Sequence, residues 1–130
     1  MDKRKIETDA APAAIGPYSQ GMVARGGCLL FVSGQLGIDP ATGAFSGESV
    51  EAQTERAIKN LLAVVDRAGG GRASIAKTTV FLKDLADFPR MNEVYSRLLG
   101  EPYPARSCVG VLALPKNGLV EIEAIAVLET

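Results

Sequence analysis

Three charged side chains occur within two segments that otherwise have the composition of buried strands. The segment Tyr103–Val111, YPARSCVGV, carries Arg106, and the segment Leu119–Val127, LVEIEAIAV, carries Glu121 and Glu123. A guanidinium recognises a carboxylate through two parallel hydrogen bonds. A glutamate in a partly dry pocket beside it can hold a water molecule and take its proton. These residue types indicate a site for a small carboxylate, and an ion pair between Arg106 and one of the glutamates is the competing interpretation.

The alternation of side chains along a strand assigns these residues to faces. Successive side chains point to opposite faces, so Glu121 and Glu123 share one face of the last strand. Arg106 and Cys108 share one face of the strand before it. Only the connection LPKNGL separates the two strands, and we therefore predict that they pair as antiparallel neighbours.

The absence of histidine from the chain limits its possible chemistry. It excludes Ser-His-Asp and Cys-His catalytic units and histidine-based acid–base pairs within the chain. The two cysteines, Cys28 and Cys108, are far apart and lack CxxC spacing, so neither zinc binding nor a redox motif is indicated. Any reaction would use carboxylates, Arg, Lys, Tyr, Cys, hydroxyls, backbone groups and water.

The composition predicts one globular domain, residues 1–130, without a membrane or nucleic-acid partner. The 130 residues are 47% hydrophobic and 22% charged, and the net charge of −1 provides no basic field for nucleic acid. The N-terminus lacks the apolar segment of a signal peptide, and no apolar run approaches the roughly 18 residues of a membrane span. We expect a cytoplasmic protein with free thiols.

Hydrophobic periodicity predicts the element order β-β-β-α-β-α-β-β. The first helix is expected to begin after Ser49 and to stop at Gly69, and the second to begin after Asp87 and to end at Gly100. Besides the two final strands, strands are expected near Ile6 and at Gly21–Ala24, Leu29–Ser33 and Ser74–Leu85. The last of these is apolar on both faces, which indicates a central strand.

This order predicts an α+β fold with one mixed sheet of about six strands and both helices on a single face. The two strand–helix–strand crossovers imply parallel neighbours within the sheet. The other face has no helical cover although several strands are apolar on both sides. We expect another copy of the chain to cover it.

Five blocks of the sequence resemble the RidA family, also called the YjgF or reactive intermediate deaminase family. They occur in the family's order over nearly the whole chain: AIGPYSQG (Ala14–Gly21), FVSGQLG (Phe31–Gly37), FPRMNEVY (Phe88–Tyr95), YPARSCVGV (Tyr103–Val111) and VEIEAIAV (Val120–Val127). The resemblance implies a chorismate-mutase-like α+β sheet assembled as a homotrimer, with sites in clefts between subunits.

The resemblance also implies an activity and a set of site residues. The activity is hydrolysis of 2-imino acids and their enamine tautomers, released by pyridoxal-phosphate enzymes, to 2-keto acids and ammonia, without a cofactor. Arg106 matches the residue that holds the substrate carboxylate, and Glu121 matches the one that positions the attacking water, with Glu123 as its structural companion. The other matching pocket positions are Tyr18, Ser33, Gly34, Asn92 and Cys108.

Each assignment has an alternative at this stage. Tyr18 packing over the Gly16–Pro17 turn, Ser33 and Gly34 ending a strand, Asn92 facing solvent and Cys108 filling the interior would all fit the same sequence. Two other functions also remain open. One is a non-catalytic carboxylate sensor or holdase-like chaperone, and the other is an endoribonuclease that inhibits translation.

Overall fold

The computed structural model describes residues 2–129, which form two α-helices and six β-strands. None of the helices in this range is long and apolar enough to cross a membrane. The elements, in chain order, are β1 (Asp2–Ile6), β2 (Gly21–Arg25), β3 (Cys28–Leu36), α1 (Val50–Arg67), β4 (Ile75–Leu82), α2 (Phe88–Leu99), β5 (Ala105–Gly110) and β6 (Val120–Leu128). The predicted element order and α+β class are confirmed.

The main sheet has the strand order β3-β6-β4-β5. Strand β6 is antiparallel to both β3 and β4, whereas β4 and β5 are parallel. The prediction that β4 is a central strand is therefore confirmed. The prediction that β5 and β6 are neighbours is wrong, because β4 lies between them. Only the crossover through α2 joins adjacent parallel strands, since β6 occupies the position between β3 and β4.

The six strands do not form the single sheet that the sequence predicts. Strands β1 and β2 make a separate antiparallel ribbon, and one isolated parallel bridge, Ser19 with Ala105, connects the loop between β1 and β2 to β5. Pro102 and Pro104 precede β5, and neither has a backbone N–H. Backbone pairing between this loop and β5 is consequently limited to the bridge and to one hydrogen bond, from the Ser19 N–H to the Pro104 carbonyl at 3.1 Å.

The helix ends largely follow the sequence signals. The Ser49 hydroxyl accepts the Ala52 N–H at 3.1 Å, which caps α1 as predicted. Helix α1 ends at Arg67, just before Gly69, and Gly100 ends α2 with a φ of 65°. Asp87 stands at the N-terminus of α2 but makes no capping hydrogen bond, because its carboxylate binds Arg90 instead.

Both helices cover one face of the main sheet, and the other face is bare. The helix-covered face contains the buried core, with Ile58, Leu61, Val80 and Ile122 almost fully buried. Gln53 of α1 is buried as well, and its side chain accepts the Leu119 N–H at 2.9 Å, which ties α1 to the start of β6. The helix is thus joined to the strand that carries Glu121.

The bare face exposes large apolar side chains. Leu29 is 61% exposed and Phe31 is 68% exposed on β3, and Val109 of β5 and Ile125 of β6 are also exposed. The cross-strand pairs Leu29 with Val127 and Phe31 with Ile125 place these residues in adjacent rows. The predicted uncovered apolar face is therefore present.

Candidate functional site

Arg106 lies on the helix-covered face of the sheet. In the ladder it is paired with Thr78 of β4, and Thr78 is paired with Ala124 of β6. Thr78 and Ala124 are both buried beneath the helices. Since residues directly opposite one another in a ladder share a face, the Arg106 side chain emerges toward α2 at the edge strand β5.

The Arg106 guanidinium is held by three aromatic rings and one amide. Its central carbon lies 4.8 Å from the ring centre of Tyr95, 5.4 Å from that of Phe88 and 5.5 Å from that of Tyr18. Its Nη1 donates a hydrogen bond to Oδ1 of Asn92 at 2.7 Å. All of these contacts favour a cation, because the rings and the amide oxygen each present negative charge. We call Arg106, Tyr18, Phe88, Asn92 and Tyr95 the arginine cluster.

No carboxylate within residues 2–129 forms a salt bridge with Arg106. Burial lowers the pKa of Arg106, but the pKa of a guanidinium ordinarily lies so far above neutral that the group stays charged at neutral pH. The cluster therefore presents a half-buried cation without an anionic partner. An anionic ligand, in particular a carboxylate, would match the fork of donors.

Tyr95 is fully buried under the guanidinium, and its hydroxyl lies 2.6 Å from the Thr78 hydroxyl. Burial raises the pKa of Tyr95 to about 12, with the Thr78 hydrogen bond and the Arg106 charge opposing that shift. The phenol is consequently neutral at physiological pH. It serves the cluster as a ring and a hydrogen-bonding group, and it is not a general base.

Cys108 lies two residues along the same face as Arg106 and is half-buried. Burial raises the pKa of its thiol, and the nearby Arg106 only partly offsets this effect. A thiol that stays protonated is a poor nucleophile. The described residues also contain no group of three or more His, Cys, Asp or Glu that could hold a metal ion.

Glu121, Ser33 and Gly34 lie together at the other predicted part of the site. Between Val32 and Gln35 strand β3 has two residues, Ser33 and Gly34, opposite one residue of β6, which makes a β-bulge. A Cβ at position 34 would lie 2.3 Å from Oε2 of Glu121. Glycine thus leaves room for the Glu121 carboxylate over the bulge.

These two parts lie on opposite faces of the sheet. Glu121 is paired with Phe81 of β4, which is three residues from Thr78, the partner of Arg106, and so has the opposite orientation. The ion pair between Arg106 and Glu121 or Glu123 that the sequence left open is therefore excluded within one chain. Tyr18, Asn92, Cys108 and Arg106 come together, whereas Ser33, Gly34 and Glu121 do not join them.

Two of the ring residues were not among the predicted site residues. Helical periodicity alone assigns Phe88 and Tyr95 to one face of α2, and in the structure both rings lie over the Arg106 guanidinium. The same periodicity does not reveal that the face meets a cation on β5. The signal that was available is the spacing of Phe88, Asn92 and Tyr95, which are four and three residues apart and therefore on one side of a helix.

The fold and this cluster together define a small α+β protein with helices on one face of its sheet. Beneath one helix lies an arginine that has no carboxylate partner in the part of the chain that the structure describes. The sequence model of the family described as Endoribonuclease L-PSP matches residues 8–128. Together with the relatives below, this match shows that the chain belongs to the RidA family, and the resemblance noted in the sequence is confirmed.

Curated relatives and solved structures agree with this membership. The 2-iminobutanoate/2-iminopropanoate deaminase of Salmonella typhimurium is 48% identical over 127 residues, which cover 95% of this chain and 97% of the relative. The chloroplastic Reactive Intermediate Deaminase A of Arabidopsis thaliana is 48% identical over 128 residues, covering 98% of this chain and 67% of the relative. The structure of E. coli TdcF with bound serine superposes with a TM-score of 0.75 at 46% identity, covering 95% of this chain and 98% of that chain.

The bulge at Gly34 predicts a specific effect of adding one methyl group. Gly34→Ala should displace the Glu121 carboxylate, because the new Cβ would overlap the flexible end of that side chain. The free energy of unfolding should change by less than about 1 kcal/mol, since the side chain can move without the backbone. A crystal structure and urea denaturation check both expectations. The control Gly71→Ala, where a Cβ meets nothing within 4 Å, should leave Glu121 in place. An unmoved carboxylate in Gly34→Ala would contradict the assignment.

The pKa of Tyr95 predicts a loss of stability at alkaline pH. An unfolded tyrosine ionises near its ordinary pKa of 10.0, and folded Tyr95 ionises at about 12. The stabilisation is therefore fully present below pH 10 and is lost as the pH rises to about 12, by up to about 2 to 3 kcal/mol. In Tyr95→Phe this decline should shrink, and in Tyr103→Phe it should persist. Denaturant titrations at several pH values measure the free energy of unfolding of each variant. If this free energy falls equally with pH in Tyr95→Phe and Tyr103→Phe, the burial of the Tyr95 phenol is contradicted.

Proposed function

We propose that this protein is an imine deaminase that hydrolyses 2-imino acids of the 2-iminobutanoate and 2-iminopropanoate type. The products are the 2-keto acid and ammonia, and the substrates are reactive intermediates of pyridoxal-phosphate enzymes. The observation that carries the proposal is the half-buried Arg106, which has two kinds of supporting contact and, among residues 2–129, no carboxylate partner. Membership of a family that includes a 48% identical relative named as this deaminase supports it.

In this proposal Arg106 holds the substrate carboxylate. Its Nη1 is occupied by Asn92, and Gly16 lies beside Nη2, where an ideal Cβ would make an ordinary van der Waals contact at 3.7 Å. The bound serine of TdcF is a small molecule with a carboxylate next to a nitrogen-bearing carbon, which resembles an imino acid in these features. Fixing the carboxylate would orient C2 toward a water molecule.

Glu121 is the proposed general base. It takes a proton from water as the oxygen bonds to C2 and the C=N double bond becomes a single bond. The imine nitrogen takes a proton from solvent as it becomes the amine of the carbinolamine, and Glu121 then gives that amine the proton it took from water. The C–N bond breaks and ammonia leaves, while the carbinolamine hydroxyl loses its proton to solvent and the C=O bond forms. No cofactor takes part in these steps. Cys108 and the backbone of Ser33 and Gly34 are proposed to line the pocket.

The reaction requires Glu121 of a second copy, because Arg106 and Glu121 of one chain lie on opposite faces of the sheet. We propose a homotrimer in which the bare apolar faces pack together and each Arg106 meets Glu121 of a neighbour. Exposed Leu29, Phe31 and Ile125 on that face support the assembly, since monomers rarely expose such large apolar groups together.

An endoribonuclease is the second candidate, because that activity appears in the description of the matching family. RNA binding usually needs several phosphate contacts and a basic surface. The chain has a net charge of −1 and no histidine. The absence of a basic net charge and of histidine favours the deaminase over the endoribonuclease.

The deaminase proposal is tested by following imine generated in situ from an amino acid, with semicarbazide competing for it. Wild type should suppress semicarbazone formation. Arg106→Ala should raise KM by roughly 10- to 100-fold through loss of charge-assisted hydrogen bonds, and Glu121→Ala should lower kcat by about 100-fold or more through loss of the base. Glu123→Ala is the matched control, because this exposed glutamate lies on the same strand face and should leave activity within about threefold.

Two results would contradict this function. If wild type does not compete with semicarbazide but still binds 2-oxobutanoate at Arg106, the protein is a carboxylate sensor. If wild type cleaves RNA and Arg106→Ala abolishes the cleavage, the endoribonuclease candidate replaces the deaminase.

A further inference from the structure

Of the three rings around Arg106, Tyr95 lies nearest to the guanidinium, at 4.8 Å, and is the only fully buried one. Tyr18 and Phe88 are partly exposed and lie 5.5 and 5.4 Å away. A buried ring cannot move aside without disturbing the core packed around it. Of the three rings, Tyr95 therefore restricts most strongly how far the guanidinium lies from the sheet.

A hydrogen bond in turn fixes the Tyr95 ring. Its hydroxyl and the Thr78 hydroxyl are 2.6 Å apart, and both residues are completely buried. Neither hydroxyl has water as an alternative partner in such a place, so the bond is strongly preferred over a broken one. The Tyr95 ring is consequently held by the guanidinium at its face and by the Thr78 hydroxyl at its own hydroxyl.

Thr78 is also the ladder partner of Arg106 on the adjacent strand β4. The contacts thus close a loop through three elements. The loop runs from the Arg106 backbone on β5 to Thr78 on β4, across the hydroxyl pair to Tyr95 on α2, and from the Tyr95 ring back to the Arg106 guanidinium. Any shift of α2 against the sheet would change the ring and the cation together.

We propose that Tyr95 and Thr78 are positioning residues for the candidate site, whose hydroxyl pair fixes the ring on which the Arg106 guanidinium rests. Neither residue touches the substrate in this proposal, which rests on the proposed role of Arg106 as the carboxylate clamp. The pair sets the orientation of the clamp before the substrate arrives. Its removal should therefore weaken binding of the carboxylate more than it slows the chemical step.

The test separates positioning from a purely structural role with three variants. Tyr95→Phe and Thr78→Val each remove one hydroxyl and leave the other buried without a partner, whereas the double variant removes both. Leaving one hydroxyl unpaired destabilises a core, and removing both can be nearly neutral. A structural role therefore predicts that the double variant recovers the stability and the KM of wild type.

A positioning role predicts a different outcome. The double variant should recover stability in urea denaturation, yet its KM for the in situ imine should stay roughly three- to tenfold above wild type, with kcat changed less than twofold. The Kd for 2-oxobutanoate should rise by the same factor. As a control, Ile58→Val in the buried face of α1 destabilises the core and should leave KM and Kd unchanged.

A measurement without ligand distinguishes failure of this inference from failure of the proposed function. The ¹⁵N order parameter of the Arg106 Nε–H group reports how rigidly the guanidinium is held. It should be lower in both single variants and in the double variant than in wild type and Ile58→Val. Unchanged order parameters would overturn the positioning role even if wild type is a deaminase. Lowered ones would support it even if wild type hydrolyses no imine.

Discussion

The structure depends on keeping the charge of Arg106 in a half-buried place that offers it no carboxylate. Removing a charge from water is costly unless other groups replace the lost hydration. Asn92 supplies one hydrogen bond, and the rings of Tyr95, Phe88 and Tyr18 supply weaker attraction from three sides. This solvation is partial, and a carboxylate ligand would complete it. Helix α2 and strand β5 are therefore arranged around the requirement of a single cation.

The strand order gives the second constraint. Strand β4 lies between β5 and β6, and it pairs with Arg106 through Thr78 and with Glu121 through Phe81. Because Thr78 and Phe81 are an odd number of residues apart, the Arg106 and Glu121 side chains point to opposite faces of the sheet. In the proposed function these residues are two halves of one site, and one chain cannot join them by itself. The exposed apolar residues lie on the same face as Glu121, the face without helices. A second copy packed on that face would exclude water from it and, in the proposed assembly, would also bring its Arg106 to this Glu121.

Local signals in the sequence predict much of the fold and the strand faces of the candidate site residues. Alternation assigns Glu121 and Glu123 to one strand face, and the cap at Ser49 and the glycine at Gly100 mark helix ends. The position of β6 between β3 and β4 is not predictable in this way, because strand order depends on packing between segments far apart in the chain. The bulge at Ser33 and Gly34 and the contact of Tyr95 with Arg106 escape prediction for the same reason. Each of them depends on a partner from another element.

The most direct test of the account is subunit complementation between Arg106→Ala and Glu121→Ala. The two variants are unfolded, mixed in equal amounts, refolded together, and assayed for imine hydrolysis after native mass spectrometry verifies mixed assemblies. With random mixing an intact Arg106 occurs in half of the subunits and an intact Glu121 in half of their neighbours. About one half of one half, or one quarter, of the sites then carry both residues, and about one quarter of wild-type activity should return. Mixed assemblies that are no more active than the separate variants would contradict a site shared between copies.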